Sequence, residues 1–215
     1  MDPQTFIREH TAVGSPPLVP ELRLYLATEV TPIWQATEES LARFGTPPPF
    51  WAFAWAGGQA LARYILDHPD TVAGRDVLDL ASGSGMVAIA AALAGARRVT
   101  AADIDPYATT AITLNAALNN VKIAVENRDL LDRGPAGWAV VTAGDVCYEE
   151  PMARRMVLLL RRTAARGRVA LLGDPGRAYL PRDGLVELAR YTVPVSRELE
   201  DREAKEGVVF EVLAE

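Results

Sequence analysis

The sequence has very little cysteine and histidine, and this scarcity excludes several kinds of chemistry. Its 215 residues include one cysteine, Cys147, and two histidines, His10 and His68. One cysteine cannot form an intramolecular disulfide, so the chain suits a reducing compartment and we expect a cytoplasmic protein. Two histidines leave almost no material for a histidine-rich metal site or a Ser-His-Asp triad, so we expect no metal.

Positive charge and long apolar runs are also scarce. Lys and Arg number 22 against 28 Asp and Glu, which gives a formal net charge of −6 and argues against a strongly basic nucleic-acid-binding protein. The absence of a run of about 18 apolar residues predicts no membrane span, and no apolar stretch follows a basic start as in a signal peptide. Hydrophobic residues make up 49% of the chain, so one domain can bury a full core.

The first quarter of the chain differs in composition from the rest. Eight of the 15 prolines fall in residues 1–49, and three of the four tryptophans lie within residues 34–55. Proline interrupts helices, so this segment predicts short helical pieces, of which residues 21–28 are the clearest. Residues 59–66 predict a longer amphipathic helix.

From residue 75 onward, short apolar strands alternate with helices. We predict strands over residues 77–80, 98–102, 121–125, 138–143 and 168–173, and helices over 86–93, 106–119 and 151–163. This alternation predicts a Rossmann-like α/β fold with a mostly parallel sheet and helices on both faces. Residues 185–195, interpreted as a short helix and a strand, and residues 207–213 have no helix-length connection, so they predict an antiparallel hairpin at one edge.

One turn carries the strongest functional signal. The segment Asp79-Leu-Ala-Ser-Gly83-Ser-Gly85 follows a strand and opens a helix, where glycines allow a tight turn and the helix N-terminus offers free N–H groups. It also fits the dinucleotide pattern GxGxxG/A through Ala88, and Asp103 lies 20 residues after Gly83, where a ribose-binding acid is expected. The motif therefore predicts an adenosine-containing cofactor without saying which one.

Two features favour S-adenosylmethionine over NAD. Asp79 ends its strand, where a carboxylate suits an amine or hydroxyls and would repel a pyrophosphate. About 75 residues precede this strand, whereas a small nicotinamide domain often begins with it. Asp129, after the third strand, is a candidate for the adenine amine, with a helix or turn cap as the alternative. Asp105, beside Pro106, is interpreted as a helix N-cap.

The fourth strand ends in Gly144-Asp145-Val-Cys147-Tyr148. In open α/β sheets the functional edge lies beyond the C-terminal ends of the strands, so Asp145 and Tyr148 are candidates to face a substrate. The Asn/Asp-Pro-Pro-Tyr signature of methyltransferases acting on adenine or glutamine is absent. Cys147 lacks the preceding proline that presents a nucleophile for pyrimidine C5 chemistry, so we interpret it as a packing residue.

Taken together, these segments resemble the seven-β-strand protein-lysine methyltransferases. The resemblance is carried by PFWAFAWAGGQALARY (residues 49–64), VLDLASGSG (77–85), DIDP (103–106), GDVCY (144–148) and GDPGR (173–177). Within that class the chain most resembles the lysine methyltransferases of the electron-transfer flavoprotein β subunit, bacterial members included. A ribosomal-protein methyltransferase is the broader alternative substrate class.

The resemblance implies a class I methyltransferase with a seven-stranded sheet and S-adenosylmethionine as cofactor. It implies that Asp79, Gly83 and Gly85 hold the methionine part of the cofactor and that Asp103 holds the ribose. It also divides the chain into an N-terminal helical segment and lid, residues 1–58, and the methyltransferase domain, residues 59–215. Ala81 is a departure, because many such motifs carry Gly at this position.

The resemblance also implies a lysine site. Asp145 and Tyr148 would form the Asp-x-x-Tyr pair that shapes it, and Trp55 and Gly57 would close over the cofactor. Trp51 would add an aromatic face to the lysine channel, with core packing as its alternative. Two other readings stay open at this point, a nicotinamide oxidoreductase that reuses the glycine motif and a catalytically silent protein that binds S-adenosylmethionine.

Overall fold

A mixed sheet of seven strands forms the centre of the computed structural model, which describes residues 2–27, 48–132, 134, 137–195 and 203–214. The nine strands of this part of the chain are β1 (Ala12–Gly14), β2 (Leu24–Leu26), β3 (Asp76–Leu80), β4 (Arg98–Asp103), β5 (Ala124–Asn127), β6 (Val140–Gly144), β7 (Val169–Asp174), β8 (Leu185–Pro194) and β9 (Ala204–Val212).

The strand order confirms the α/β class. The seven-stranded sheet runs β5-β4-β3-β6-β7-β9-β8, with β1 and β2 forming a separate antiparallel pair. Strands β3 to β7 are parallel, and β9 is antiparallel to both of its neighbours. The antiparallel hairpin at one edge is therefore also confirmed.

The helices found among the described residues are α1 (Pro3–His10), α2 (Ala56–Asp67), α3 (Met86–Leu93), α4 (Pro106–Leu118) and α5 (Glu150–Ala164). Helix α4 shows why the sequence places its start so well. Asp105 is its N-cap and accepts a hydrogen bond from the N–H of Tyr107 at 2.8 Å, and Pro106 occupies the first helical position, where no N–H partner is needed. None of the described helices has the length and apolar composition that crossing a membrane requires.

Side chains on the two faces of the sheet form two cores. Val77 points to the face covered by α2 and α3, where it joins Leu61 and Ile89. The next residue of β3, Leu78, points to the opposite face and joins Leu160 of α5. Successive side chains of a strand alternate between faces, so the apolar residues of a central strand can be buried on both sides of the sheet.

Glycines let helix α2 lie directly on the ends of β6 and β7. A Cβ atom added to Gly57 would lie 2.5 Å from the carbonyl oxygen of Gly173, and one added to Gly144 would lie 2.9 Å from Cα of Gly58. Contacts this short leave no room for a side chain. The helix N-terminus is consequently held against the C-terminal edge of the sheet.

Two local predictions are wrong, and a third is right in kind but shifted along the chain. The sequence predicts a helix over residues 21–28, of which Thr28 lies outside the described residues, but Leu24–Leu26 form strand β2. The strand is favoured because β1 pairs alongside it and because the N–H of Tyr25 donates to the buried side chain of Asn115 at 2.8 Å. Residues 185–194 form one strand and no helix, since β9 pairs with them on both sides of an irregularity between Glu187 and Ala189. The third strand of the parallel region also begins later than predicted, at Ala124.

Candidate active site

A cleft opens at the C-terminal ends of β3 and β6, where the strand order of the sheet reverses. We call it the glycine-loop cleft. Its lining residues are Phe50, Phe53, Trp55 and Gly58 on one side and Asp79, Ala81, Ser82, Gly83, Ser84, Met86, Val87 and Gly144 on the other. Ligands of open α/β sheets bind at this kind of position, so the fold and the sequence motif point to the same place.

The loop between β3 and α3 needs three residues with positive φ. Gly83 has φ +55°, Gly85 has φ +82°, and Ala81 has φ +47°. A Cβ on Gly85 would also approach the side chain of Ile112 to 3.2 Å. Left-handed backbone costs an ordinary residue about 1–2 kcal/mol, so Ala81 departs from the usual glycine at a position where glycine would be less strained.

Asp79 is buried at the start of this loop. Its carboxylate accepts hydrogen bonds from the hydroxyl of Thr142 at 2.8 Å and from the hydroxyl of Ser82. The pKa of Asp79 is raised to about 6. Burial is the main cause and the charge of Asp103 adds to it, while the hydrogen bonds from the two hydroxyls act in the opposite direction. A buried carboxylate of this kind is stabilised by a ligand that brings positive charge.

Asp103 lies at the end of β4 and holds the loop. Its carboxylate accepts from the N–H of Gly83 at 2.9 Å and from the N–H of Asp105 at 3.0 Å, while burial raises its pKa. Two carboxylates at neighbouring strand ends make this edge of the cleft acidic. The site therefore favours ammonium and hydroxyl groups and disfavours a pyrophosphate.

We expect Asp79→Asn to be more stable than the wild-type protein at about pH 8, without ligand, with the difference vanishing below about pH 3. The raised pKa means that the folded protein holds this proton more tightly than the unfolded chain. The stability contributed by the protonated carboxyl is full below the unfolded pKa of 3.8 and is lost as pH rises through about 6. A shift of two units corresponds to about 3 kcal/mol.

Urea denaturation of both proteins across this pH range measures the difference. Asp129→Asn is the matched control of opposite sign: partial burial raises the pKa of Asp129, but the N–H of Leu131 and the guanidinium of Arg155 outweigh it and lower the pKa overall. Its removal is expected to cost stability near about pH 8. A stability difference for Asp79→Asn that does not change with pH would contradict the interpretation.

Asp145 lies beside the cleft in a strained and fully engaged position. Its φ is +59°, and it follows Gly144, which lines the cleft. One carboxylate oxygen accepts from the N–H of Gly57 at 2.8 Å, and the other accepts from Nε of Arg177 at 2.6 Å. The Arg177 guanidinium lies 5.7 Å from the ring centroid of Trp55. Asp145 thus connects strand β6 with the start of helix α2.

Tyr148 is partly exposed at the same edge. The residue is 42% exposed, and its ring lies 5.4 Å from that of Phe50, centroid to centroid. Burial of its remaining surface and the carboxylates of Glu149, Asp103 and Asp145 raise its pKa, so the phenol stays protonated at neutral pH. An aromatic face and a hydroxyl donor are consequently presented to solvent next to the cleft.

The tryptophans of the N-terminal segment differ in position. Trp55 lines the cleft, and its Nε1 donates to the carbonyl of Phe50 at 2.8 Å. Trp51 is only 2% exposed and packs in a separate core with Ile7 and Ala108, so it lies outside the residues that line the cleft. Its placement matches the packing alternative, and a role in the lysine channel stays a prediction.

Gly57, Gly85, Asp103 and Asp129 also lie outside the set of cleft-lining residues. Asp129 accepts from the N–H of Leu131 and pairs with Arg155, both at 2.9 Å, which is the turn-cap geometry of the alternative reading. Cys147 is buried, and burial together with Asp174 raises the pKa of its thiol to about 12. A thiol that stays protonated and inaccessible has the properties of a packing residue.

Several residues of the site were not singled out from the sequence. They are Phe50, Phe53, Ser82, Ser84, Met86, Val87, Thr142 and Arg177. The serines could have been found as members of the glycine loop. Thr142 had no sequence signal, because its contact with Asp79 spans 63 residues.

Comparison with known proteins identifies the family. A family model described as ribosomal protein L11 methyltransferase matches residues 60–143. The electron transfer flavoprotein beta subunit lysine methyltransferase of Xenopus laevis is 39% identical over 214 residues, which cover 97% of this chain and 86% of that protein. The human protein of the same name is 43% identical over 185 residues, with 82% and 68% covered.

The chain belongs to the electron transfer flavoprotein β-subunit lysine methyltransferase family. It is accordingly an S-adenosylmethionine-dependent protein-lysine methyltransferase, and the nicotinamide reading of the glycine motif is set aside. A solved ribosomal protein L11 methylase from Lactobacillus delbrueckii subsp. bulgaricus supports the fold at a TM-score of 0.52, with 22% identity over 75% of this chain and 81% of that one.

Proposed function

We propose that this methyltransferase acts on a lysine of the electron-transfer flavoprotein β subunit. The proposal is supported by relatives named for that substrate, which are 36–43% identical to the chain. Relatives named for ribosomal protein L11 match much shorter stretches, such as 58 residues covering 27% of the chain. That likeness covers at most about a third of the chain, so the flavoprotein is the better candidate.

We assign the cofactor to the glycine-loop cleft. When bound there, S-adenosylmethionine supplies a methyl group on a sulfonium, which the substrate amine takes up in line. Asp79, Gly83 and Gly85 are proposed to hold the methionine part, and Asp103 is proposed to hold the ribose hydroxyls. The fit is electrostatic, because the buried carboxylate of Asp79 gains from the ammonium of the ligand.

The reacting amine must be neutral. Lysine has a pKa near 10.4, so neutralising it at about pH 7 costs about 4.6 kcal/mol. A carboxylate beside the ammonium would increase this cost, so we assign Asp145 the role of an orienting acceptor and not of the base. The proton of the lysine ammonium is proposed to be transferred to water. Tyr148 would narrow the channel and offer its ring face, which tolerates a cation.

The N-terminal segment is proposed to cover both ligands. Its described part places Phe50, Phe53 and Trp55 across the cleft from the glycine loop. Three aromatic side chains at this position suit exclusion of water from the reacting groups. The assignment of residues 1–58 as a lid, the adenine contact of Asp129 and the cytoplasmic location remain predictions.

The net charge of −6 suits a surface that receives a lysine-bearing protein.

Labelled methyl transfer tests the proposal. Purified enzyme is incubated with S-adenosylmethionine labelled on its methyl group and with the recombinant flavoprotein β subunit or ribosomal protein L11, and mass spectrometry locates the modified residue. We expect label on lysine of the flavoprotein subunit. Label on ribosomal protein L11 alone would support the other substrate class. In a parallel incubation with a cell extract, the absence of label on any protein would contradict the proposed activity.

A further inference from the structure

Arg177 forms an ion pair with Asp145. Its Nε lies 2.6 Å from the Asp145 carboxylate, and the two side chains are only 19% and 4% exposed. Salt screens such a sheltered pair far less than a surface pair. Because the N–H of Gly57 engages the second oxygen, both oxygens of Asp145 already accept hydrogen bonds before a substrate arrives.

The loop after β7 fixes where Arg177 lies. Asp174, which is fully buried, accepts hydrogen bonds from the N–H groups of Gly176 and Arg177, each at 2.7 Å. Gly176 has φ +86°, so the turn needs its glycine. This turn, held by the two hydrogen bonds to Asp174, therefore places the Arg177 guanidinium next to Asp145 and the ring of Trp55.

Without a counter-charge, Asp145 would work against the reaction proposed above. An opposite charge within about 4–6 Å raises the pKa of an amine by about 1–3 units, which would keep the substrate lysine as an ammonium. Among the described residues, the ionisable groups that act on this region include Asp174 from β7, Cys147 and Tyr148 from the loop after β6, Glu149, Asp103 from β4, and Arg177. Of these groups, Arg177 carries the positive charge.

We propose that Arg177 is a positioning residue that neutralises Asp145, so that the carboxylate orients the substrate lysine without holding it as an ammonium. The proposal rests on the proposed lysine site at Asp145. Arg177 acts through the carboxylate, and its contact with Trp55 joins the lysine site to the aromatic side of the cleft.

The pH dependence of single-turnover methyl transfer onto the flavoprotein β subunit tests the proposal. In Arg177→Gln the uncompensated carboxylate raises the pKa of the bound lysine. The ascending limb of the plot of rate against pH therefore moves to higher pH by about one unit. Below that limb the rate falls about tenfold, and at high pH it returns toward the wild-type value. Arg177→Lys keeps the charge and is expected to restore the limb. Arg182→Gln removes an exposed arginine five residues along and should leave the profile unchanged.

The outcomes separate the possible roles. A rate loss in Arg177→Gln that is equal at every pH would mean a merely structural role and overturn the proposal, as would a limb that Arg177→Lys fails to restore. Carbon-13 NMR titration of the Asp145 carboxyl gives a readout without catalysis: its pKa must rise in Arg177→Gln, and an unchanged value overturns the proposal. Wild-type enzyme that methylates no lysine contradicts the proposed function, while the titration still decides the ion pair.

Discussion

Asp145→Asn is expected to lower the single-turnover rate of methyl transfer about a hundredfold while the affinity for S-adenosylmethionine is retained. Asparagine has the size of aspartate and tolerates a φ of +59°, so the backbone can keep its conformation. It can still accept from the N–H of Gly57, but the charged bond with Arg177 is lost. A misplaced reacting group costs about 10²-fold in rate.

Calorimetry with S-adenosylmethionine and rapid-quench methyl transfer measure the two quantities separately. Alanine is a poorer choice, because it would be strained at this φ and would leave the N–H of Gly57 without its acceptor. Asp183→Asn is the matched control: it removes an aspartate paired with Arg161 at 2.8 Å, and the 88% exposed Asp183 does not line the cleft. Its rate should equal that of the wild type.

Tyr148→Phe completes this prediction from the other half of the Asp-x-x-Tyr pair. The ring that lies 5.4 Å from Phe50 is kept, and only the hydroxyl is removed. We expect a reduced rate with unchanged cofactor affinity. If either variant turned over as fast as the wild type, that residue would have no part in orienting the lysine, and loss of cofactor binding in both would overturn the assignment of roles.

The parts of the fold that the sequence predicts are those set by neighbouring residues. The alternation of apolar strands and helices predicted the parallel sheet. Asp105-Pro106 predicted the start of α4, because the capping hydrogen bond joins Asp105 to Tyr107, only two positions along the chain. Strand β2 could not be found in this way. Its N–H of Tyr25 bonds to Asn115, 90 residues away, so a tertiary partner outweighs the local helical spacing.

The candidate site shows the same division. Asp79, Gly83 and Gly85 lie within one strand–helix turn, so their spacing alone predicts a binding loop. Which aromatic residue of the N-terminal segment faces the cleft depends on how a short 3-10 helix, Phe50–Ala52, lies against the sheet. The sequence therefore suggested Trp51, whereas Phe50 and Phe53 join Trp55 in the lining.

The pairing of Arg177 with Asp145 is also beyond the reach of spacing. The two residues are 32 positions apart, and both stand in segments that resemble the family. They meet because β6 and β7 are adjacent and parallel, which brings the loops after both strands to one edge. Once the order of the strands is known, the pairing of these loops follows from the topology.

Gly173→Ala is expected to destabilise the protein by at least about 3 kcal/mol, at the upper end of what overpacking costs in a close-packed interior. The new Cβ would collide with the carbonyl oxygen of Gly57 and lie 2.8 Å from Cβ of Leu61. Helix α2 cannot retreat cheaply, because its N-terminus is bonded to Asp145 and its side chains form the core under the sheet. For a domain of this size the thermal midpoint should fall by about 6–12 °C.

Catalysis should fall together with stability in this variant, since α2 carries Trp55 at its N-cap and Gly58 in the cleft lining. Thermal and urea denaturation measure the stability loss, and Gly14→Ala is the control, because its nearest neighbour is Cδ1 of Leu26 at 4.0 Å. That control should change stability by less than about 1 kcal/mol. A loss as small as this for Gly173→Ala would show that α2 can move away from the sheet, and the glycine contact would then not be what fixes the N-terminal side of the site.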